Sequence, residues 1–141
     1  MVRALWIKTA RKGAMRPKTR VTCRADKGLV GNADQGGKRQ ITIIEEEKWQ
    51  VMMRELNADV PPSARRANVM VSGIALRESR GRILRLGEVR IAVEGETLPC
   101  NRMDQAWPGL RNCMKPEWRG GVYGRILNDG IIRVGDTVCW E

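Results

Sequence analysis

The sequence Gly87-Glu-Val-Arg-Ile-Ala-Val-Glu-Gly-Glu-Thr-Leu-Pro-Cys100 alternates between apolar and polar residues over most of its length. Val89, Ile91 and Val93 recur at every second position, which is the period of a half-buried β-strand. Residues 82–86 supply a first arm of similar character, so the two segments predict a β-hairpin. The hairpin places the cysteine that closes this stretch in a loop just beyond a strand end.

Short apolar runs bounded by glycine or proline recur through the rest of the chain. They predict further strands at residues 3–8, 19–24, 41–44, 69–76, 121–127, 131–134 and 137–140. The turn Asn128-Asp-Gly130 is typical of a tight hairpin and predicts that the strands on either side of it pair with each other. Many short strands and few helices indicate one mainly β domain over residues 1–141, a closed or nearly closed β-barrel.

One clear helix is predicted near residues 45–57. Trp49, Met52 and Leu56 recur at helical spacing and form an apolar face, and the glutamates that precede them place negative charge in the first turn. Short helical segments are predicted near residues 103–118. We interpret these helices as packing elements of the domain.

The chain contains four cysteines, widely spaced and without a C-x-x-C pair, and no histidine. A zinc site is therefore disfavoured, and nucleophile pairs that depend on histidine are excluded. Any chemistry must come from a thiol, a carboxylate, an arginine or a bound cofactor. No apolar run approaches membrane-spanning length and no signal-peptide pattern is present, so we expect a cytoplasmic protein with free thiols and no membrane association.

The formal net charge is +10, and it is unevenly distributed. Residues 1–40 hold eleven Lys and Arg against two Asp. Such charge is typical of proteins that bind phosphate groups, on nucleic acid or on a small molecule. A surface for single-stranded nucleic acid also needs aromatic side chains for base stacking, and the chain has no Phe, one Tyr and five scattered Trp. The composition thus favours a phosphate-bearing small molecule over nucleic acid.

Cys100 is the strongest candidate for a functional side chain. It lies in a proline-containing loop with Arg102 nearby, and partial exposure next to positive charge favours the thiolate form. The alternative is that Cys100 is a small buried hydrophobic residue, which is common for free cysteine. Cys23 and Cys139 fall in predicted strands, where a thiol is usually inert.

Several basic residues lie in loops or at the start of predicted strands, and a barrel could bring them together at one rim. The candidates are Lys38, Arg39, Arg65 and Arg66. We expect Arg11 and Arg16, in the N-terminal basic loop, to be exposed and to contribute little to a specific site.

Four groups of residues carry a family resemblance through their order and separation. They are Gly28-Leu-Val-Gly31 with Arg39-Gln-Ile-Thr42, Arg66-Ala-Asn68 with Gly73, Leu86 through Cys100, and Gly121 through Asp136. Together they resemble the MOSC domain, a family named for the C-terminal region of molybdenum cofactor sulfurases. The resemblance runs from about residue 5 to residue 138 and implies a β-rich barrel.

The resemblance implies that Cys100 either carries sulfur as a persulfide or ligates the molybdenum of a pterin cofactor, molybdopterin. It also implies that Arg66 and Asn68 contact the phosphate region of that cofactor. Further candidates for cofactor binding are Lys38, Arg39, Arg65 and Arg102. The chain departs from many family members in the glycine-rich loop, where they have Asp followed shortly by His and this chain has Asn32-Ala-Asp34.

Three functions are compatible with this sequence. The first is a cofactor-binding or sulfur-carrier protein that uses Cys100 and receives sulfur from a cysteine desulfurase. The second is a molybdenum-cofactor-dependent reductase of N-hydroxylated substrates, which needs an electron-donor protein. The third is a basic nucleic-acid-binding β-barrel, which the shortage of aromatic residues disfavours.

Overall fold

The computed structural model describes residues 1–141, which form eleven strands, three α-helices and two 3-10 helices. The strands are β1 (Val2–Ile7), β2 (Arg16–Lys18), β3 (Arg20–Arg24), β4 (Gly28–Leu29), β5 (Ile41–Glu45), β6 (Val69–Val71), β7 (Ile83–Leu86), β8 (Val89–Glu96), β9 (Val122–Ile126), β10 (Gly130–Arg133) and β11 (Val138–Trp140). The helices are α1 (Glu46–Leu56), α2 (Asn101–Ala106) and α3 (Leu110–Met114), and the 3-10 helices span Pro62–Arg65 and Pro116–Trp118.

The strands form two sheets around a shared core. The eight-stranded sheet has the order β11-β7-β8-β9-β5-β6-β1-β2, and the three-stranded sheet has the order β10-β3-β4. The larger sheet curls strongly, as shown by the backbone N–H of Val2 in β1, which donates to the carbonyl of Asp136, just before β11, at 2.8 Å. The two ends of the eight-stranded sheet thus lie close together, which confirms the predicted mainly β fold with a nearly closed barrel.

The hairpin predicted from residues 82–100 is formed by β7 and β8, in which Leu86 pairs with Val89 and Leu84 with Ile91. Burial alternates along the whole of β8. Gly87 makes the turn with φ of 60°, in the left-handed region where a side chain is disfavoured. Each buried Val or Ile of this hairpin contributes about 1.5–3 kcal/mol of apolar burial, so the alternation fixes the register.

The hairpin predicted at Asn128-Asp-Gly130 is wrong. β9 pairs with β8 and β5, whereas β10 pairs with β3 in the other sheet. The turn side chains bond to segments distant in sequence: Asn128 Oδ1 accepts from the backbone N–H of Arg90 in β8 at 2.8 Å, and Asp129 Oδ1 accepts from that of Ala25, just after β3, at 2.7 Å. With these bonds the turn connects β9 in the larger sheet to β10 in the smaller sheet, and the two strands do not pair with each other.

The predicted strand at residues 69–76 also ends early, at Val71, and Gly73 follows with φ of 76°. The helix predicted near residues 45–57 is α1. The predicted segments near residues 103–118 correspond to α2 and α3, with a 3-10 turn after them. No helix is both long enough and apolar enough to cross a membrane.

Three apolar clusters hold these elements, and the smallest consists of Trp6, Ile44, Ala67 and Met70. A cluster of 19 buried residues fills the barrel, and a separate cluster of six packs the three helices against one another outside it. In the second cluster Met103 of α2 and Leu110 and Met114 of α3 lie against Trp49 and Met52 of α1. This packing anchors α2 and, with it, the residues that link β8 to α2.

Candidate functional site

Cys100 lies in the link between β8 and α2, beyond the end of the strand as the sequence predicts. It occupies the N-cap position of α2 and is exposed. Its carbonyl accepts a hydrogen bond from the backbone N–H of Met103 at 3.0 Å, and Met103 is buried in the helical core. The thiol is therefore accessible while its backbone is anchored.

The thiol opens into a cavity of about 720 Å³. Seven lysines and arginines line this cavity, with a single carboxylate among them. The lining residues are Lys8, Arg11, Lys12, Asp34, Arg39, Arg65, Arg66, Cys100, Arg102 and Met103, and we call this space the basic cavity. The carboxylate of Asp34 lies 3.3 Å from Lys8 Nζ, so the remaining cations have no acidic partner in the lining. Such a cavity is suited to an anionic ligand.

Arg65 supports the wall of the basic cavity. Its side chain is buried, and its guanidinium donates to the carbonyls of Gly120 (3.1 Å), Thr97 (3.0 Å) and Leu98 (3.4 Å). Burial and the charge of Arg39 lower the pKa of Arg65 to about 10, while the charge of Cys100 acts in the opposite direction. Arg65 remains protonated at neutral pH and ties the segment before Cys100 to the strand side of the site.

Arg66 has the left-handed conformation, with φ of 64°, at the end of the Pro62–Arg65 turn. Its Nη2 donates to the carbonyl of Gly13 at 2.7 Å and more weakly to that of Arg11 at 3.4 Å. Burial and the nearby charge of Arg102 lower the pKa of Arg66. These contacts hold the N-terminal basic loop against the rim and leave Nε and Nη1 of Arg66 for a ligand.

Asn68 and Lys38 lie outside the lining of the basic cavity. Asn68 is only 4% exposed; its Oδ1 accepts from the N–H and hydroxyl of Thr42, and its Nδ2 donates to the carbonyl of Trp6 at 3.2 Å. Lys38 is exposed. Arg39, its neighbour, does line the cavity, and its guanidinium carbon lies 5.9 Å from the ring centre of Tyr123.

Three lining cations were missed by sequence reasoning: Lys8, Arg11 and Lys12. Arg11 is exposed, as expected, but it also lines the cavity, and the bonds from Arg66 hold its loop there; its contribution to binding stays a prediction. The surplus of basic residues before residue 40 was the sequence feature that could have indicated these three residues. Arg16 is exposed in β2 and does not line the cavity, as expected.

The other thiols lie elsewhere. Cys23 is buried in β3, where burial and, less strongly, the charge of Glu88 raise its pKa to about 12. Burial also raises the pKa of Cys113. Cys139 is exposed on the edge strand β11, away from the basic cavity. No three cysteine, aspartate or glutamate side chains converge on a metal-binding position. Only Cys100 is both exposed and part of a cavity lined by cationic side chains.

Comparison with known proteins agrees with this geometry. The family model described as the MOSC domain matches residues 28–139. Among solved structures, the chain resembles the YuaD protein of Bacillus subtilis, with a TM-score of 0.82, 17% identity, and coverage of 97% of this chain and 92% of that one.

Two further structures share the fold. YiiM of Geobacillus stearothermophilus gives a TM-score of 0.79 at 15% identity, over 100% of this chain and 75% of that one. YiiM of Escherichia coli gives 0.73 at 16% identity, over 99% and 69%. No curated protein matches the chain. The match of the family model over most of the sequence shows that the chain belongs to the MOSC domain family.

Proposed function

We propose that the protein binds the molybdenum cofactor in the basic cavity, with its phosphate held by arginines and its metal facing Cys100. The MOSC family is associated with molybdenum cofactor binding. The observation that carries the proposal is the convergence of seven cations and one accessible thiol on a single cavity. A phosphorylated pterin needs anion donors, and molybdenum accepts a soft thiolate ligand.

The residues present fit such a ligand. A cavity of about 720 Å³ lies within the range that holds cofactor-sized molecules. Arg39, Arg66 and Arg102 line it with side chains suited to bidentate phosphate contacts, and Arg11 adds a fourth guanidinium. Asn68 acts indirectly, because its amide fixes Thr42 and β1 behind the cavity wall. When bound, the cofactor supplies a redox-active metal centre.

The chain itself prepares the thiol for that role. Cysteines that act as nucleophiles or metal ligands lie in partly exposed, electropositive surroundings. Arg65 and Arg102 line the same cavity as Cys100. Arg65 also holds the carbonyls of Thr97 and Leu98, which fixes the direction from which Cys100 enters the cavity.

Sulfur transfer is the second candidate, and the exposure of Cys100 favours it. The Cys100 thiolate attacks the terminal sulfur of a persulfide on a donor protein such as a cysteine desulfurase. A new S–S bond forms at Cys100, the S–S bond of the donor breaks, and the donor leaves as a thiolate. The same thiol then presents sulfur at the mouth of the basic cavity.

Nucleic acid is a weaker candidate. Trp6 and Trp49 are buried, Trp118 and Trp140 are half-buried, and only Trp107 is exposed. No aromatic residue lines the basic cavity. Binding of single strands depends on exposed aromatic faces on which bases stack.

The test is to purify the protein from a host that makes molybdopterin and to measure three quantities. These are molybdenum by elemental analysis, pterin by fluorescence after oxidation, and the intact mass of the Cys100 peptide. Pterin and molybdenum together support cofactor binding. If the same protein also reduces N-hydroxylated substrates when an electron donor is supplied, the cofactor serves a reductase. A Cys100 peptide heavier by one sulfur atom supports sulfur transfer. Protein with neither pterin nor sulfur adduct contradicts both.

A further inference from the structure

A small polar niche lies against the basic cavity and has three of its lining arginines in common with it. Its volume is about 10 Å³, enough for one atom of the size of a water oxygen. The shared residues are Arg39, Arg65 and Arg66, and no acidic residue lines the niche. A space lined by three arginines and no acidic residue is unusual, since close cations destabilise one another.

The niche also holds a polar group without a partner. Thr97 lines it and is only 4% exposed, yet its hydroxyl makes no hydrogen bond within the protein. The hydroxyl of Thr42, which lines the same niche, is bonded to Asn68. A buried hydroxyl left unpaired costs free energy, so Thr97 Oγ1 marks a position where a ligand atom completes the bonding.

Gly120 keeps this niche narrow. A Cβ at this position would overlap the carbonyl oxygen of Thr97 and would press on Arg65 Nη2 at 3.2 Å. Only glycine therefore lets the backbone of residue 120 approach Arg65, whose Nε donates to its carbonyl. Because guanidinium groups donate and never accept, an atom in the niche is best matched by an acceptor that carries negative charge.

We propose that the niche seats one oxygen of a phosphoryl group, with Thr97 Oγ1 as a hydrogen-bond donor and the remaining oxygens in the basic cavity. This inference rests on the proposed function and deepens it by locating the oxyanion. The three arginines that line both spaces place the niche directly beside the basic cavity. The chemistry is the same for a free phosphate ion and for the phosphate of a bound cofactor.

The test uses inorganic phosphate and calorimetry on cofactor-free protein. Thr97→Val removes the hydroxyl at nearly constant volume, and we expect the Kd for phosphate to rise about tenfold, the usual effect of losing a hydrogen bond to a charged group. Thr97→Ser keeps the hydroxyl and binds as the wild type does. Thr97→Val folds, since it deletes an unpaired buried polar group, and its Tm is equal to or above that of the wild type.

Two outcomes overturn the inference: no phosphate binding by the wild type, or the same Kd in wild type and Thr97→Val. Either can occur while pterin still copurifies, so failure of the niche is distinguishable from failure of the proposed function. A second arm identifies the source of the oxyanion. Cofactor-loaded protein that no longer binds phosphate assigns the niche to the cofactor, and loaded protein that still binds it assigns the niche to a free oxyanion.

Discussion

Replacing Arg65 by methionine tests the claim that a buried guanidinium positions the thiol segment. Methionine matches the stem of arginine but removes its donors from the carbonyls of Gly120, Thr97 and Leu98. The contacts to Gly120 and Thr97 are the strong ones, at 3.1 and 3.0 Å. Each buried carbonyl left unpaired costs roughly 1–3 kcal/mol, so Arg65→Met is expected to lower the free energy of unfolding by about 2–6 kcal/mol.

Urea denaturation at neutral pH measures that loss, and the alkylation rate of Cys100 in the folded state measures the positioning. Arg65→Lys keeps the charge but loses the forked geometry, so it separates the two roles. We expect the lysine variant to lose part of the stability and to change the alkylation rate of Cys100 less than Arg65→Met does. If Arg65→Met unfolds at the same urea concentration as the wild type and its Cys100 reacts at the same rate, the positioning role is refuted.

Three further predictions follow from the same residues. Burial raises the pKa of Cys23 to about 12 from an ordinary value near 9, so the protonated thiol stabilises the fold fully below pH 9 and this stabilisation is lost as the pH rises toward 12. Between these pH values, the free energy of unfolding should fall about 1.4 kcal/mol per pH unit more steeply in the wild type than in Cys23→Ala, as measured by denaturation. Alkylation at limiting reagent, followed by peptide mapping, should label Cys100 before Cys139, and the reverse order would remove the argument that the cations activate Cys100. Arg66→Ala should weaken pterin binding about ten- to hundredfold, whereas the exposed control Arg16→Ala should change it little, and equal losses in a titration at two salt concentrations would indicate a diffuse basic surface.

The parts of the fold that depend on local periodicity were predictable from the sequence. The alternation of residues 89–93 and the helical spacing of residues 49–56 act over neighbouring residues, and both elements form where the pattern placed them. The hairpin predicted at Asn128 is wrong because a long-range contact decides the path of the chain there. Its local sequence favours a hairpin, but its side chain bonds to β8, more than thirty residues away, and this long-range contact decides the path.

The candidate site was predictable only in part for the same physical reason. The position of Cys100 beyond a strand follows from the pattern before it. The closing of the N-terminal basic loop over the cavity depends on the bond from Arg66 to Gly13, which joins residues 53 positions apart. Likewise, nothing in the sequence indicates that the hydroxyl of Thr97 is buried without a partner, because that depends on how Gly120 and Arg65 pack.

The most direct measurement of the central claim is X-ray absorption at the molybdenum edge of cofactor-loaded protein, in the wild type and in Cys100→Ser. The arginines that we propose to hold the phosphate are unchanged in the variant, so we expect the cofactor to stay bound and to be available for comparison. Cys139→Ser serves as the control, because this thiol is also exposed but lies outside the basic cavity. We predict that Cys100→Ser loses one sulfur ligand of molybdenum and that Cys139→Ser loses none. Identical sulfur coordination in all three proteins would contradict the assignment of Cys100 as the residue that meets the metal.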